Sequence, residues 1–178
     1  GERLLEALDR LGFTVPTPVQ SKAIPEALAG KDLLVQAKTG SGKTLAFAVP
    51  LFAQLRAAEE RGPVKDTFAL VISPTRELAA QIAEKFRDYG KFLGLTVNCV
   101  FGGMPIFTQK KKLQAGTDIL VATPGRLLDL IEQRALSLKD VEIFVLDEAD
   151  QMMDLGFIHA LKRIDLMLPK KRQSLFFS

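Results

Sequence analysis

"DLLVQAKTGSGKT", residues 32–44, runs from a continuous apolar segment into two glycines among small polar residues, and ends on a lysine and a threonine. So much bare backbone beside a cation and a hydroxyl suits a phosphate chain with its magnesium. A glycine-rich turn before a helix is the plainer alternative. The run Ala37, Lys38, Thr39, Gly40, Ser41, Gly42, Lys43, Thr44 fits the phosphate-loop pattern G-x-x-x-x-G-K-[ST], with alanine in place of the first glycine. Gly40 and Gly42 permit positive φ, so successive N–H groups can converge on an anion. A helix starting near Lys43 adds its positive dipole end. In such a loop Lys43 reaches the β- and γ-phosphates, and Thr44 places its hydroxyl on Mg²⁺. The position between an apolar strand and an apolar helix favours the phosphate loop over the turn.

Outward from this stretch, six short apolar runs recur: 32–37, 68–73, 96–101, 118–123, 142–147 and 173–178. Several are continuous rather than alternating, as strands buried on both faces are. Helical stretches lie between them at about 43–57, 76–92, 105–115, 124–134 and 157–168, and two more precede the first strand near 3–11 and 18–29, the second closed by Gly30. Strand alternating with helix predicts an α/β domain, with an open, mostly parallel twisted sheet flanked by helices on both faces. Residues 57–66 read as an exposed linker. After the strands come "KTGSGKT", "PTRE", "GGM", "PGR" and "DEAD". These ends line one edge of a parallel sheet, the edge at which such folds bind ligands.

The second chemical element is "VLDEAD", 145–150. Asp147 ends a buried strand, where an unpaired carboxylate is costly. Magnesium would resolve that cost, partly through water. Glu148 is then placed to orient or deprotonate an attacking water, which makes Lys43, Asp147 and Glu148 the candidate catalytic set. An acidic helix start stabilised by the dipole is the alternative.

Composition bounds the rest. The 178 residues suffice for one domain with a sizeable core; 47% are hydrophobic and 25% charged, which excludes disorder. A net charge of +3 is compatible with a polyanionic partner without arguing for one. A lone cysteine, Cys99, permits no internal disulfide and reads as a small core residue, favouring an intracellular, cytoplasmic setting. No run approaches the roughly 20 apolar residues of a membrane helix, so no membrane partner is expected.

The ordered set "GFTVPTPVQ" (12–20), "AKTGSGKT" (37–44), "PTRELA" (74–79), "GG" (102–103), "TPGR" (123–126) and "DEAD" (147–150) closely resembles the DEAD-box RNA helicases. It matches their N-terminal RecA-like, P-loop domain over essentially the whole chain. The resemblance implies one ATP-binding RecA-like domain at 1–178, an RNA-dependent ATPase and helicase as the full-length protein, and ATP with Mg²⁺ as cofactors. A second RecA-like domain, carrying the arginine fingers and half the RNA site, is expected outside this chain, so the isolated domain should bind nucleotide with negligible hydrolysis. The family's adenine-stacking aromatic would precede Gly1, and its Ser-Ala-Thr motif would begin at Ser178.

By matching position, Phe13 joins the cofactor-binding residues and Gln20 reads the adenine edge, its amide matching adenine N6 and N7. Thr17, Pro18, Val19 and Gln20 also form a capping box with proline at the first helical position, and both readings can hold. Pro74, Thr75, Arg76, Gly102, Gly103, Thr123, Pro124, Gly125 and Arg126 would meet the RNA backbone, largely without regard to sequence. Plain capped helix starts with solvated arginines are the alternative for either "PTRE" or "TPGR" alone. Asp150 would couple the ATP site to Ser178. Lys110, Lys111 and Lys112 read as a solvated helix face, and His159 and Tyr89 as surface helix residues. Two other functions share these motifs: an ATP-switched RNA clamp or assembly platform, and a DNA translocase with a related core, against which "DEAD" and "PTPVQ" argue.

Overall fold

The computed structural model describes residues 17–37, 42–62 and 67–178. The expected helix near 3–11, Phe13, and the loop residues Lys38, Thr39, Gly40 and Ser41 lie outside them.

Helix α1 (Pro18–Leu28) begins at the expected capping box. Thr17 N–H donates to Gln20 Oε1 at 2.9 Å, and Gln20 N–H donates to Thr17 Oγ1 at 3.4 Å. The helix ends as Gly30 turns left-handed at φ +83°. The chain continues through β1 (Leu33–Val35), α2 (Lys43–Glu60), β2 (Ala69–Ile72), α3 (Arg76–Gly90) and a 3₁₀ turn (Lys91–Leu93). It goes on through β3 (Val97–Val100), α4 (Ile106–Gln114), β4 (Ile119–Ala122) and α5 (Pro124–Glu132), and closes with β5 (Ile143–Leu146), α6 (Ala149–Asp154), α7 (Ile158–Met167) and β6 (Gln173–Phe177).

The six strands form one sheet in the order β1-β6-β5-β2-β4-β3, and every pairing is parallel. Strands β2, β4 and β5 are buried at every residue, which explains their continuous apolar runs. Alternation divides them between two cores. Ala69, Val71, Ile119, Val121, Ile143 and Val145 pack under α2 and α3. Leu70, Ile72, Leu120, Phe144 and Leu146 pack against α5 and α7 through Leu127, Leu130, Leu161 and Ile164. Phe47 of α2 meets Phe177 of β6 and Phe86 of α3 edge-on, at centroid distances of 5.1 and 5.7 Å, fastening the phosphate-loop helix to the sheet and its neighbour.

The structure corrects three local expectations. Residues 57–60 are not linker: α2 runs on to Glu60 because Ala58 still faces the core and Arg56 pairs with Glu59 at 2.8 Å. The helix expected at 157–168 is preceded by a separate helix, α6, and the chain reverses between them at Gly156, φ +81°. Tyr89 is not a plain surface residue; it packs half-buried against the core under α3. Cys99 is half-buried, and burial pushes its thiol up to about 11, so it is an inert side chain. No helix among the described residues is long and apolar enough to cross a membrane.

Candidate nucleotide and nucleic-acid site

Gly42 is the last residue of the loop before α2 and sits left-handed at φ +82°. Only glycine fits. A Cβ there would lie 2.5 Å from Gln20 Nε2 and 2.9 Å from Thr17 Oγ1. Gln20, 7% exposed, uses both ends of its amide: Oε1 accepts from Thr17, and Nε2 donates to Gly42 O at 3.1 Å. The capping box of α1 is thus bonded, through Gln20, to the end of the loop.

Lys43 is the first residue of α2. Its ammonium lies 3.1 Å from Asp147 Oδ1 and hydrogen-bonds to Glu148 Oε1. Burial pulls the Lys43 pKa down, but Glu148 and Asp147 outweigh it and leave the pKa raised. Asp147, 3% exposed, is pushed up mainly by burial and further by the Glu148 charge, against the opposing pull of Lys43. Its Oδ1 accepts no aligned hydrogen bond despite the nearby Nζ, so the contact is an ion pair and a lone pair stays open. Glu148 has φ +56° and ψ +50°, a left-handed conformation that a residue with a side chain adopts only at a cost. That backbone is what turns the carboxylate of a residue just past β5 back to Lys43.

Thr17, Gln20, Gly42, Lys43, Thr44, Asp147 and Glu148 line one cavity of about 330 Å³, with Leu78, Gln81, Lys85 and Tyr89 of α3 as its other wall. A larger hollow of about 690 Å³ lies between α1 and β1, lined largely by Pro18, Val19, Leu33 and Leu34. It holds Lys22 but none of Lys43, Thr44, Asp147 and Glu148, which line the smaller cavity together. Asp147 with its open oxygen and the buried Thr44 hydroxyl fit the oxygen-donor set of a hard divalent cation. Among the described residues no three His, Cys, Asp or Glu side chains cluster for a metal, so such a cation would take its remaining ligands from phosphate and water.

The other expected residues lie farther along the same sheet edge. Thr75 caps α3 by accepting from Leu78 N–H at 3.2 Å. Arg76 lies over the Phe101 ring at 5.0 Å, and its Nη1 is 3.4 Å from where a Gly103 Cβ would be. Gly102, Gly103 and Gly125 are exposed, Pro74 and Pro124 are buried, and Thr123 begins α5 without a side-chain cap. Arg126 is turned inward with its side chain 13% exposed, and its Nη1 donates to Met104 O at 2.8 Å and Gln109 Oε1 at 3.0 Å. Asp150 is exposed, while Ser178 is held by its backbone, donating to Val35 O and accepting from Ala37 N–H. No hydrogen bond joins Asp150 to Ser178 among the described residues.

Residues 17–178 match the DEAD/DEAH box helicase family. The chain belongs to that family. Over 175 residues it is 45% identical to the DEAD-box ATP-dependent RNA helicase CshA of Streptococcus pneumoniae serotype 4, covering 98% of this chain and 32% of that protein. It is 46% identical over 176 residues to the ATP-dependent rRNA helicase RRP3 of Meyerozyma guilliermondii, covering 98% of this chain and 36% of that one. A crystal structure of a hypothetical ATP-dependent RNA helicase from Sulfolobus tokodaii matches with a TM-score of 0.89 and 41% identity, over all of this chain and 50% of that one. The chain therefore spans about a third of the curated relatives it matches.

Two features of this helicase-family domain escaped the motif reading. Tyr89, Lys85 and Gln81 share the cavity wall because α3 turns one face to the cavity; their spacing of four residues from Gln81 to Lys85 to Tyr89 was the available signal. Gln109, 6% exposed, bonds Phe101 and Arg126, and nothing in its helix marked it.

Proposed function

We propose that this chain is the ATP-binding N-terminal domain of an RNA-dependent ATPase and RNA helicase, completed by a second RecA-like domain. The carrying observation is the Lys43 ammonium held between Asp147 and Glu148, on the same sheet edge as Arg76, Gly103 and Arg126. In this reading Lys43 exchanges its carboxylate partners for phosphate oxygens. Glu148, released from the ammonium, positions the attacking water and accepts its proton. Asp147 and Thr44 would hold Mg²⁺, which supplies charge neutralisation on the phosphates. Gln20 has one donor and one acceptor site left for an adenine edge. The exposed Gly102–Gly103 turn, the start of α5 and Arg76 offer backbone N–H groups and a cation to a phosphodiester chain.

A split site should bind without turning over, because an arginine finger in phosphoryl transfer is worth about 10³–10⁵ in rate. The test pairs calorimetry of ADP against GDP with a steady-state ATPase assay of the chain, with and without RNA. Preference for ADP and negligible hydrolysis are expected. Equal ADP and GDP affinity would remove the adenine reading. RNA-stimulated turnover by this chain alone would overturn the split site.

A further inference from the structure

We propose that Gln109 is a positioning residue for the RNA face: its buried amide ties the Gly102–Gly103 turn to Arg126 and so sets where both meet a phosphate backbone. This rests on the RNA reading above. A buried amide needs partners for both its ends. Gln109 Nε2 donates to Phe101 O at 3.0 Å, and its Oε1 accepts from Arg126 Nη1 at 3.0 Å. The amide orientation is dictated by the partners, since a carbonyl only accepts and a guanidinium only donates. The same Nη1 donates to Met104 O at 2.8 Å. One run of hydrogen bonds therefore passes from the residue before the two glycines to the residue after them.

The turn has little else to hold it from this side. A Cβ at Gly102 would meet nothing within 4 Å, and Gly103 is left-handed at φ +84°. Helix α4 starts at Ile106 behind Pro105, which offers no side-chain cap, so no cap bond steadies the exit of the turn. From the opposite side Arg76 stacks on Phe101 and approaches Gly103. The three segments "PTRE", "GG" and "TPGR", far apart in sequence, are thereby joined through Phe101 and Gln109. Glutamine suits the position because one planar group must donate and accept at once; glutamate lacks the donor, and methionine lacks both.

The test uses the 178-residue chain with Gln109→Met, Gln109→Glu, Arg126→Ala and the Gln109→Met/Arg126→Ala double variant, checked for folding by thermal unfolding. Two readouts are taken: amide hydrogen exchange at 101–104, and anisotropy of labelled single-stranded oligouridylate across a salt series. Gln109→Met should speed exchange at 101–104 and weaken RNA binding about tenfold, and its effect should shrink when Arg126 is already alanine. Gln109→Glu keeps an acceptor for Arg126 but neutralises its charge, so the slope of log K against log salt should become shallower by about 0.7, one single-strand phosphate contact. Wild-type exchange in both Gln109 variants would overturn the brace. Additive losses with an unchanged salt slope would overturn the positioning role. A wild-type chain that binds no oligouridylate at low salt would sink the RNA reading and the positioning role with it, while exchange would still decide the brace.

Discussion

Lys43→Met keeps the apolar stem and removes the ammonium, and its consequence reaches beyond nucleotide affinity. In the free domain Lys43 Nζ stands 3.1 Å from Asp147 and bonds Glu148, and among the described residues it is the one cation paired with both. Its removal leaves two adjacent carboxylates, one of them 3% exposed. Breaking a buried ion pair by deleting one partner costs about 3–5 kcal/mol. The Glu148 side chain is 24% exposed, so water recovers part of that cost, and a loss of about 2–3 kcal/mol is expected. For a domain of this size that lowers Tm by about 5–10 °C.

The pH dependence carries the sharper signature. Asp147 is already raised in the folded state, so folding takes up a proton there as pH falls from neutral towards the unfolded carboxylate value, and stability rises on that path. Without Lys43 the folded value climbs further and the window widens upward. The deficit of Lys43→Met should therefore be largest near neutral pH and shrink towards pH about 5. In the wild type Lys43 is raised, so its stabilisation is complete below the unfolded lysine value and is lost as pH rises through the folded one. Urea unfolding followed by far-UV circular dichroism suits a chain without tryptophan. Asp147→Asn added to Lys43→Met should restore most of the loss. A Lys43→Met domain as stable as the wild type near neutral pH, or a deficit that does not change with pH, would refute the reasoning.

Glu148→Gln and Glu148→Gly both remove the carboxylate, but only glycine relieves the left-handed backbone. Glu148→Gly should unfold at higher urea, by about 1 kcal/mol, and equal midpoints would show that the conformation carries no strain. Gly42→Ala meets both a positive φ and the Gln20 amide at 2.5 Å; it should cost about 2 kcal/mol and weaken nucleotide binding, both read by urea unfolding with and without ADP.

The sheet was legible in the sequence because three central strands are buried on both faces and so read as unbroken apolar runs. The candidate site was proposed from the sequence for a related reason: residues that violate apolar patterning cluster at strand ends, and a parallel sheet gathers those ends. What escaped were relations among side chains. Nothing local to "TQKKK" (108–112) indicates that Gln109 is buried and bonded to an arginine on another helix, because the lysines that follow it read as a solvated face. Nor does "AAEE" reveal that α2 continues, since what extends it is the burial of Ala58 together with the Arg56–Glu59 pair.

Gln20 shows why motif reading left two roles standing together. As part of a capping box it needs only its Oε1 and backbone N–H, and that duty alone would not require burial. The structure uses the remaining Nε2 on Gly42 O, the carbonyl that also accepts the first helical bond of α2 from Ala46. The end of the glycine-rich loop at Gly42 and the start of α1 are therefore tied by this bond. Any base edge that engages Gln20 must compete with, or add to, bonds that already hold the loop. In the proposed reading, base recognition and phosphate grip are coupled through one amide, so a substitution at Gln20 should change affinity for the base and for inorganic polyphosphate alike.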